Sequence, residues 1–226
     1  MTAAATAVLD AISAEVVACR ACPRLVAWRE TVAQQRRASF RDQEYWGRPV
    51  PGWGDPAAVV LVLGLAPAAH GGNRTGRVFT GDRSGDWLFG SMYRAGLANQ
   101  PTSVSVDDGL RLQGAYVAAA VRCAPPANKP TPAERDRCFP YLERELRALN
   151  QVRVVVALGQ FAYISACRLL AVRPRPRFGH GVEVAAPKGR TIVCSFHPSQ
   201  QNTFTGRLTE GMLDAVFARA AELGDL

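Results

Sequence analysis

Four short apolar runs, almost free of polar residues, divide the chain. They cover residues 58–65, 115–121, 152–158 and 191–196. A strand that is buried on both faces has a continuous apolar run, whereas a strand with one face in solvent alternates apolar and polar residues. The pattern therefore predicts strands that helices cover on both faces, as in a parallel sheet.

Segments with helical spacing lie between and beside these runs. The spacing predicts helices over residues 87–97, 132–149, 160–170 and 210–223. Thr131, Pro132 and Glu134 form a capping-box pattern with proline at the first helical position, and Thr209 is the expected N-cap of the last helix. Near the N-terminus, another amphipathic helix that leads to Cys19 is predicted by Val8, Leu9, Ile12, Val16 and Val17.

Alternation of strands and helices is typical of an α/β fold. We predict a three-layer α/β/α sandwich around a mainly parallel sheet of about four strands. A length of 226 residues is within the range of one core, so residues 1–226 are expected to form a single domain.

The segments with the most unusual composition, rich in glycine, proline and polar residues, follow the predicted strands. GLAPAAHGGNRTGRVFTGD follows the first strand, RCAPPANKP the second and HPSQQN the fourth. Ligands of open parallel sheets bind in the crevice beyond the carboxyl ends of the strands. We therefore expect these three loops to meet at one edge of the sheet and to form the functional site.

The net charge and the lengths of the apolar runs indicate which kinds of partner the protein can have. A net charge of +8 is compatible with a polyanionic partner, although a GC-rich coding bias would also enrich arginine, and Lys129 and Lys188 are the only lysines. No apolar run approaches the length of a membrane span, and the N-terminus lacks a basic head. We expect a cytoplasmic monomer with no membrane partner.

Six cysteines in a reducing compartment indicate metal binding or chemistry rather than disulfides. Cys19 and Cys22 form a C-x2-C pair, and Cys123 and Cys138 follow much later in the chain. Four thiolates can hold either an iron-sulfur cluster or a zinc ion. Two further cysteines lie within a predicted helix and a predicted strand, where a small apolar core thiol is expected: Cys167 and Cys194.

Taken together, C-x2-C, GLAPAAHG, GRVFTGD, C-x14-C with APPANKPTPAE, and HPSQQN resemble the uracil-DNA glycosylases of family 5, the B type. The resemblance runs from about residue 19 to about residue 213. It implies an α/β/α sandwich, a four-iron four-sulfur cluster on the four cysteines, and excision of uracil from DNA. Such chemistry requires extrusion of the damaged nucleotide from the duplex into a pocket.

The resemblance also implies roles for single residues. Phe79 matches an aromatic that stacks on the extruded base, with a core aromatic as the alternative. His197 matches a histidine near the base carbonyl, where a hydrogen-bond donor stabilises the leaving group. Asp82 is the candidate carboxylate that positions the attacking water and faces the cationic sugar, with a carboxylate near the N-terminus of the helix that begins around Trp87 as the alternative. Asn128 resembles a pocket amide, but an asparagine between prolines also forms turns.

Other residues of the same motifs are expected to contact the nucleotide or the DNA. Close approach of the extruded base is expected at Gly64, Ala66, His70 and Gly71. No G-x-G-x-x-G follows the strand, which argues against a dinucleotide site. The minor groove is expected to receive Pro198, Ser199, Gln200, Gln201 and Asn202. The candidate phosphate contacts are Arg74, Arg77, Arg173, Arg175 and Arg177, of which the last three could equally lie in a solvated loop.

The predicted function is therefore a monofunctional DNA base-excision repair glycosylase that leaves an abasic site. Lys129 is the only lysine in the motifs, and the resemblance does not make it a nucleophile. The first motif offers only Leu65 and Ala66 where many relatives carry a polar side chain, so other altered bases such as hypoxanthine are expected substrates. The alternative is an iron-sulfur protein that binds DNA lesions, or acts in redox chemistry, without excising a base.

Overall fold

Helices and strands alternate along the chain in the computed structural model, which describes residues 2–226. The helices are α1 Thr2–Ala18, α2 Pro23–Gln35, α3 Gly72–Thr75, α4 Arg83–Arg94, α5 Pro132–Ala148, α6 Gln160–Leu169, α7 Gln200–Phe204 and α8 Glu210–Gly224. The strands are β1 Trp53–Gly54, β2 Val60–Gly64, β3 Ala115–Ala119, β4 Val154–Leu158, β5 Glu183–Ala186 and β6 Arg190–Ser195. Short 3-10 turns lie at Ala38–Phe40 and Pro126–Asn128.

Within the described residues the strands form one six-stranded sheet in the order β1-β3-β2-β4-β6-β5. The four central strands are parallel, and they are the four that the apolar runs predict. The expected number of about four strands was wrong because β1 and β5 add antiparallel edges. Neither edge strand has a continuous apolar run, since only two residues form β1 and exposed residues alternate with buried ones in β5.

Helices cover both faces of the sheet, which confirms the mixed α/β architecture. On one face, Val60 and Val62 of β2 share a buried cluster with Phe89 of α4 and Phe217 of α8. On the other face, the neighbouring strand residues pack in a second cluster with side chains of α1, α5 and α6: Leu61 and Leu63 with Leu9, Phe139, Leu142, Tyr163 and Ala166. The period-2 alternation of side-chain direction in β2 thus supplies both cores from one strand.

The predicted caps of α5 and α8 correspond to real helix ends, whereas the start predicted at residue 87 was wrong, because Asp82 caps α4 and the helix begins at Arg83. The Thr131 hydroxyl accepts the Glu134 N–H and the Glu134 carboxylate accepts the Thr131 N–H, so α5 begins with a complete capping box. The Thr209 hydroxyl caps α8. In α1, Leu9, Ile12 and Val16 are buried and Val8 is exposed, and the helix ends one residue before Cys19 as expected. No helix within residues 2–226 combines the length and apolar character needed to cross a bilayer.

Strand order creates a crevice at the carboxyl ends of β2 and β4. These strands are neighbours, but β2 leads to α4 on one face of the sheet and β4 leads to α6 on the other. Loops that leave adjacent strands toward opposite faces open a gap between them, which is the usual ligand position in such sheets.

Candidate functional site

A cavity of about 780 Å³ opens at this crevice. Most of its lining comes from the loops that follow β2, β3 and β6, as the sequence predicts: Leu65, Ala66, His70, Gly71, Asp82, Asn128, His197, Ser199, Gln200 and Gln201 are among its residues. The rings of Phe79 and His197 lie 5.9 Å apart, centroid to centroid. The residues singled out in three separate motifs therefore lie close together.

Asp82 lines the cavity and also caps α4. The Gly85 N–H donates to Asp82 Oδ1 at 3.1 Å, so Asp82 lies at the N-terminus of α4, as the alternative interpretation of this residue holds, and it is the N-cap itself because the helix begins at Arg83. Burial raises the pKa of Asp82 above its usual value, and the backbone N–H groups of Gly85 and Ser84 oppose that shift. In its ionised form the carboxylate only accepts hydrogen bonds, so from its position in the cavity lining it can accept one from a group in the cavity.

Gly71 permits the Asp82 carboxylate to occupy this position. A Cβ atom added at Gly71 would lie 2.0 Å from Asp82 Oδ2. The loop after β2 and the start of α4 therefore approach each other more closely than any side chain at residue 71 would allow.

His197 follows β6 after one intervening residue, Phe196, and it is half-buried in the lining of the cavity. This desolvation lowers the pKa of His197 to about 4, so the ring is neutral at neutral pH. The Asn202 side-chain amide donates to the His197 carbonyl oxygen at 2.9 Å, which ties the histidine to α7. A neutral imidazole carries one N–H donor and one acceptor, and it donates a hydrogen bond without bringing a charge.

Phe79 lies behind the cavity lining and not among it. Its side chain is 8 % exposed and belongs to one of the two buried clusters, in agreement with the core-aromatic alternative. The ring fits only because Gly64 lacks a side chain, since a Cβ there would lie 2.7 Å from Phe79 Cζ. Phe79 also has φ +55°, a left-handed conformation that is strained for a bulky residue and recurs at functional sites.

Asn128 is exposed and lines the cavity from the 3-10 turn of the second loop. Ala127 and Asn128 both have left-handed φ angles of 51° and 55°, which agrees with the turn-forming alternative. Lys129 lines the cavity beside them.

His70 is fixed by a partner outside the motif. Its Nδ1 atom lies 3.1 Å from the hydroxyl of Tyr45, and burial lowers the pKa of His70. Arg74 donates to the carbonyl oxygens of His70 and Gly81, both at 2.8 Å, and so joins two parts of the long first loop.

The HPSQQN segment is only partly a loop, because its second half, from Gln200, belongs to helix α7. Ser199 caps α7, and Ser199, Gln200 and Gln201 line the cavity. Pro198 is buried, and Asn202 points back toward His197.

Two of the five candidate phosphate-binding arginines have structural partners. The prediction for Arg77 was wrong, because its side chain is 7 % exposed and donates to Asp108, Ser103 and Thr80. Arg74 is bonded within the first loop as described above. The remaining three are exposed and do not line the cavity: Arg173, Arg175 and Arg177.

Sequence reasoning missed basic and aromatic residues at the mouth of the cavity. Arg37, Phe40 and Arg83 line it, and the Arg74 guanidinium lies 4.0 Å from the centre of the Phe40 ring. The signal was a basic segment with one aromatic, RRASFR, in a part of the chain that had been assigned to no element.

The four cysteines of the predicted metal site line one enclosed cavity: Cys19, Cys22, Cys123 and Cys138. Two buried arginines lie beside them. Arg29 Nη1 donates to Cys123 Sγ at 3.0 Å, and Arg122 forms a buried ion pair with Glu145. Burial raises the pKa of Cys123 to about 12, with Arg29 opposing the shift. Within residues 2–226, no three His, Cys, Asp or Glu side chains are placed as ligands of a metal ion.

Cys167 of α6 and Cys194 of β6 are both buried in the second cluster, as expected for small apolar thiols. Burial raises the pKa of both thiols.

Comparison with known proteins agrees with the motifs. The family model described as the uracil DNA glycosylase superfamily matches residues 51–221. The chain is 55% identical over 218 residues to the type-5 uracil-DNA glycosylase of Mycobacterium tuberculosis, covering 95% of this chain and 81% of the relative. It is 51% identical over 218 residues to the type-5 enzyme of Thermus thermophilus, covering 96% and 99%. It is 28% identical over 155 residues to the type-4 uracil-DNA glycosylase of Archaeoglobus fulgidus, covering 68% of this chain and 61% of the relative.

Proposed function

The chain belongs to the uracil-DNA glycosylase superfamily, in its type-5 branch, and we propose that it hydrolyses the bond between an altered base and deoxyribose in DNA. The observation that carries this proposal is that Asp82 and His197 share one cavity, with the Phe79 ring packed against the imidazole. The products are the free base and an abasic site, with no covalent enzyme intermediate.

A base within a duplex is out of reach of this cavity, so the nucleotide has to be extruded at a cost of about a few kcal/mol. As the glycosidic bond breaks, its electron pair leaves with the base and positive charge develops on the sugar. Water then adds to the sugar carbon and loses a proton. The site has to stabilise negative charge at the base and positive charge at the sugar.

Asp82 and His197 are suited to these two charges. The ionised Asp82 carboxylate positions the water, accepts its proton and faces the cationic sugar. The neutral His197 ring donates an N–H to the base carbonyl oxygen, where charge develops on the leaving group. A low pKa keeps the imidazole uncharged, so it adds no positive charge next to the cationic sugar.

Further contacts complete the proposal. Ala66, His70 and Gly71 form the base-binding wall, Gly64 and Phe79 support it from behind, and the Asn128 amide contacts the base or the water. The segment from Pro198 to Asn202 contacts the minor groove near the vacated base position. The two buried clusters lie on opposite faces of the same sheet, and this shared sheet supports a single domain for the whole chain.

The wall of the cavity after β2 is apolar, with Leu65, Ala66, Ala68 and Ala69 in its lining. Apolar contacts discriminate weakly between bases, because rejection of a wrong substrate depends on leaving buried polar groups unpaired. We therefore propose that hypoxanthine is removed in addition to uracil.

The experiment is incubation with duplexes that contain uracil, hypoxanthine or only normal bases, followed by alkaline scission at abasic sites. We expect scission at uracil and at hypoxanthine and none in the normal duplex. Absence of scission at hypoxanthine would restrict the enzyme to uracil. Tight binding without scission at either base would instead favour a lesion-binding protein.

We further propose that the four cysteines hold a four-iron four-sulfur cluster rather than zinc. Four thiols around one cavity are the ligand set of such a cluster. Arg122 Nε and Nη1 are buried without hydrogen-bond partners in the described residues, and Arg122 lines the same cavity. The buried Arg29 guanidinium, which donates to Cys123 Sγ, provides positive charge beside the thiolates, as an anionic thiolate-ligated group requires.

When bound, the cluster would supply a cross-link and not a catalytic step. Cys19 and Cys22 lie on either side of the turn between α1 and α2, Cys138 lies on α5, and Cys123 follows β3. Arg24 of α2 supports the same junction through its ion pair with Glu134 of α5, at 2.7 Å.

We expect Cys123→Ser to lose the brown colour and the iron of the purified protein and to lower its stability more than any specific catalytic step. Removal of one of four ligands opens the cluster, whose binding is coupled to folding. Absorbance near 400 nm, iron analysis and thermal unfolding measure the effect. Cys167→Ala is the control, because it changes a buried thiol outside the cavity and should retain iron. Zinc in anaerobically prepared wild-type protein would contradict the cluster assignment.

A further inference from the structure

Phe204 is an exposed aromatic beside the catalytic cavity. With 65 % of its surface in solvent, it has the largest exposed fraction among the exposed large hydrophobic side chains in residues 2–226. It is the last residue of α7, outside the motif that the sequence analysis singled out. Single exposed apolar residues are common on protein surfaces, so the position of Phe204 decides whether its exposure has a function.

Helix α7 connects Phe204 to the cavity. Gln200 and Gln201 at the start of the helix line the cavity. Residues four positions apart are neighbours on one side of a helix, so Phe204 lies next to Gln200, although it does not itself line the cavity. The ring is therefore at the outer lip of the site, where DNA next to an extruded nucleotide would lie.

Arg83 covers one face of the Phe204 ring. Its guanidinium carbon lies 4.5 Å from the ring centroid. Arg83 follows Asp82 in the chain and lines the same cavity. The stack thus joins the segment that carries the catalytic carboxylate to the helix that follows His197, and it leaves the rest of the ring open to solvent.

Hydrogen bonds hold α7 in place. The Asn202 amide donates to the His197 carbonyl at 2.9 Å, and the Thr205 hydroxyl donates to the Gln201 carbonyl at 2.7 Å. The Leu208 N–H donates to the Asn202 carbonyl at 3.0 Å. A ring on a fixed helix loses little conformational freedom when a ligand covers it.

We propose that Phe204, backed by Arg83, is a stacking platform for a base next to the extruded nucleotide. Extrusion leaves the neighbouring base with one uncovered face, and an aromatic ring can cover any base because every base has a π-face. Arg83 adds positive charge where the DNA backbone passes. This inference rests on the proposed function in one respect only, namely that a nucleotide enters the cavity.

The test measures binding separately from cleavage. A duplex carries 2′-fluoro-deoxyuridine, which resists hydrolysis of the glycosidic bond, with fluorescent 2-aminopurine as the adjacent base. We expect Phe204→Ala to bind this duplex about 10-fold more weakly, which is within the range for loss of one base–aromatic stack. Stacking quenches 2-aminopurine, so the bound duplex should be brighter with Phe204→Ala than with wild type. Phe204→Trp should retain both the affinity and the quenching.

Tyr93→Ala is the matched control. Tyr93 is also an exposed aromatic, but it lies near the far end of α4, whose first residue follows Asp82. Equal affinity and equal brightness for wild type and Phe204→Ala would overturn the platform. So would concentration-dependent self-association of the wild type that Phe204→Ala abolishes, because the ring would then serve a protein contact.

Uracil release from an ordinary duplex by the wild type tests the proposed function independently. A wild-type protein that releases uracil, together with a Phe204→Ala variant that binds and quenches identically, overturns only the platform. A wild-type protein that neither releases uracil nor binds the modified duplex overturns both.

Discussion

Asp82→Asn is expected to lower the single-turnover rate of uracil release by about 100-fold or more, the usual scale for a group that transfers or orients a proton. Asparagine caps helices as well as aspartate does, so the hydrogen bond from Gly85 that starts α4 should persist. The variant therefore removes the charge and keeps the cap. Wild-type activity in this variant would refute the role of Asp82.

The pH dependence gives a second measurement for the same variant. Burial raises the pKa of Asp82 in the folded state. The ionised form is required, so the wild-type rate should fall as the pH decreases through this raised pKa, and Asp82→Asn should lack that acidic limb. A rate profile of the wild type that stays flat down to the usual pKa of an aspartate would contradict this assignment.

Stability separates this effect from damage to the fold. A carboxyl group whose folded pKa is raised contributes stability that is complete below its unfolded pKa and is lost as the pH rises through the folded value. At neutral pH, Asp82→Asn should therefore be at least as stable as the wild type. Thr209→Ala is the control for cap loss, because Thr209 caps α8 away from the cavity. It should cost about 1 kcal/mol of unfolding free energy and leave the rate unchanged.

His197→Ala is expected to lower the same rate by roughly 100-fold to 1000-fold, as for removal of one donor that stabilises a developing anion. A pKa of about 4 keeps the imidazole neutral, so the loss should be equal at pH 6 and pH 8. Single-turnover rates at both values measure it. His197→Gln restores an N–H donor and should recover part of the rate. An inflection near pH 6.5 in the wild type that His197→Ala removes would indicate a charged imidazolium instead.

The sequence predicted the parts of the fold whose residues are uniformly buried. The four apolar runs became β2, β3, β4 and β6 with boundaries shifted by at most two residues. Helix α2 was missed because a charged residue lies on its inner face. Arg29 is 2 % exposed and donates to Cys123 Sγ, so the apolar spacing is interrupted where the helix contacts the cysteine cavity.

The candidate site was predictable because it depends on topology. Once the strands are parallel, the loops at their carboxyl ends have to meet, and Asp82, Asn128 and His197 do line one cavity. Local pattern could not separate surface arginines from buried ones. Arg77 is paired with Asp108 inside the fold, whereas Arg37 and Arg83 line the cavity. Tertiary packing determines whether an arginine is buried or lines the cavity, and the local sequence pattern does not contain that information.

The cysteine cavity can be completed only late in the synthesis of the protein, because its residues are far apart in the chain. Arg29 and Cys123 are in contact although 94 residues separate them in the chain. A ribosome adds about 5–20 residues per second, so the paired N-terminal helices wait roughly 5–20 seconds for their partners to emerge. During that interval Cys19 and Cys22 are uncovered thiols in a nascent chain, and the wall that encloses them is complete only after α5 has been translated.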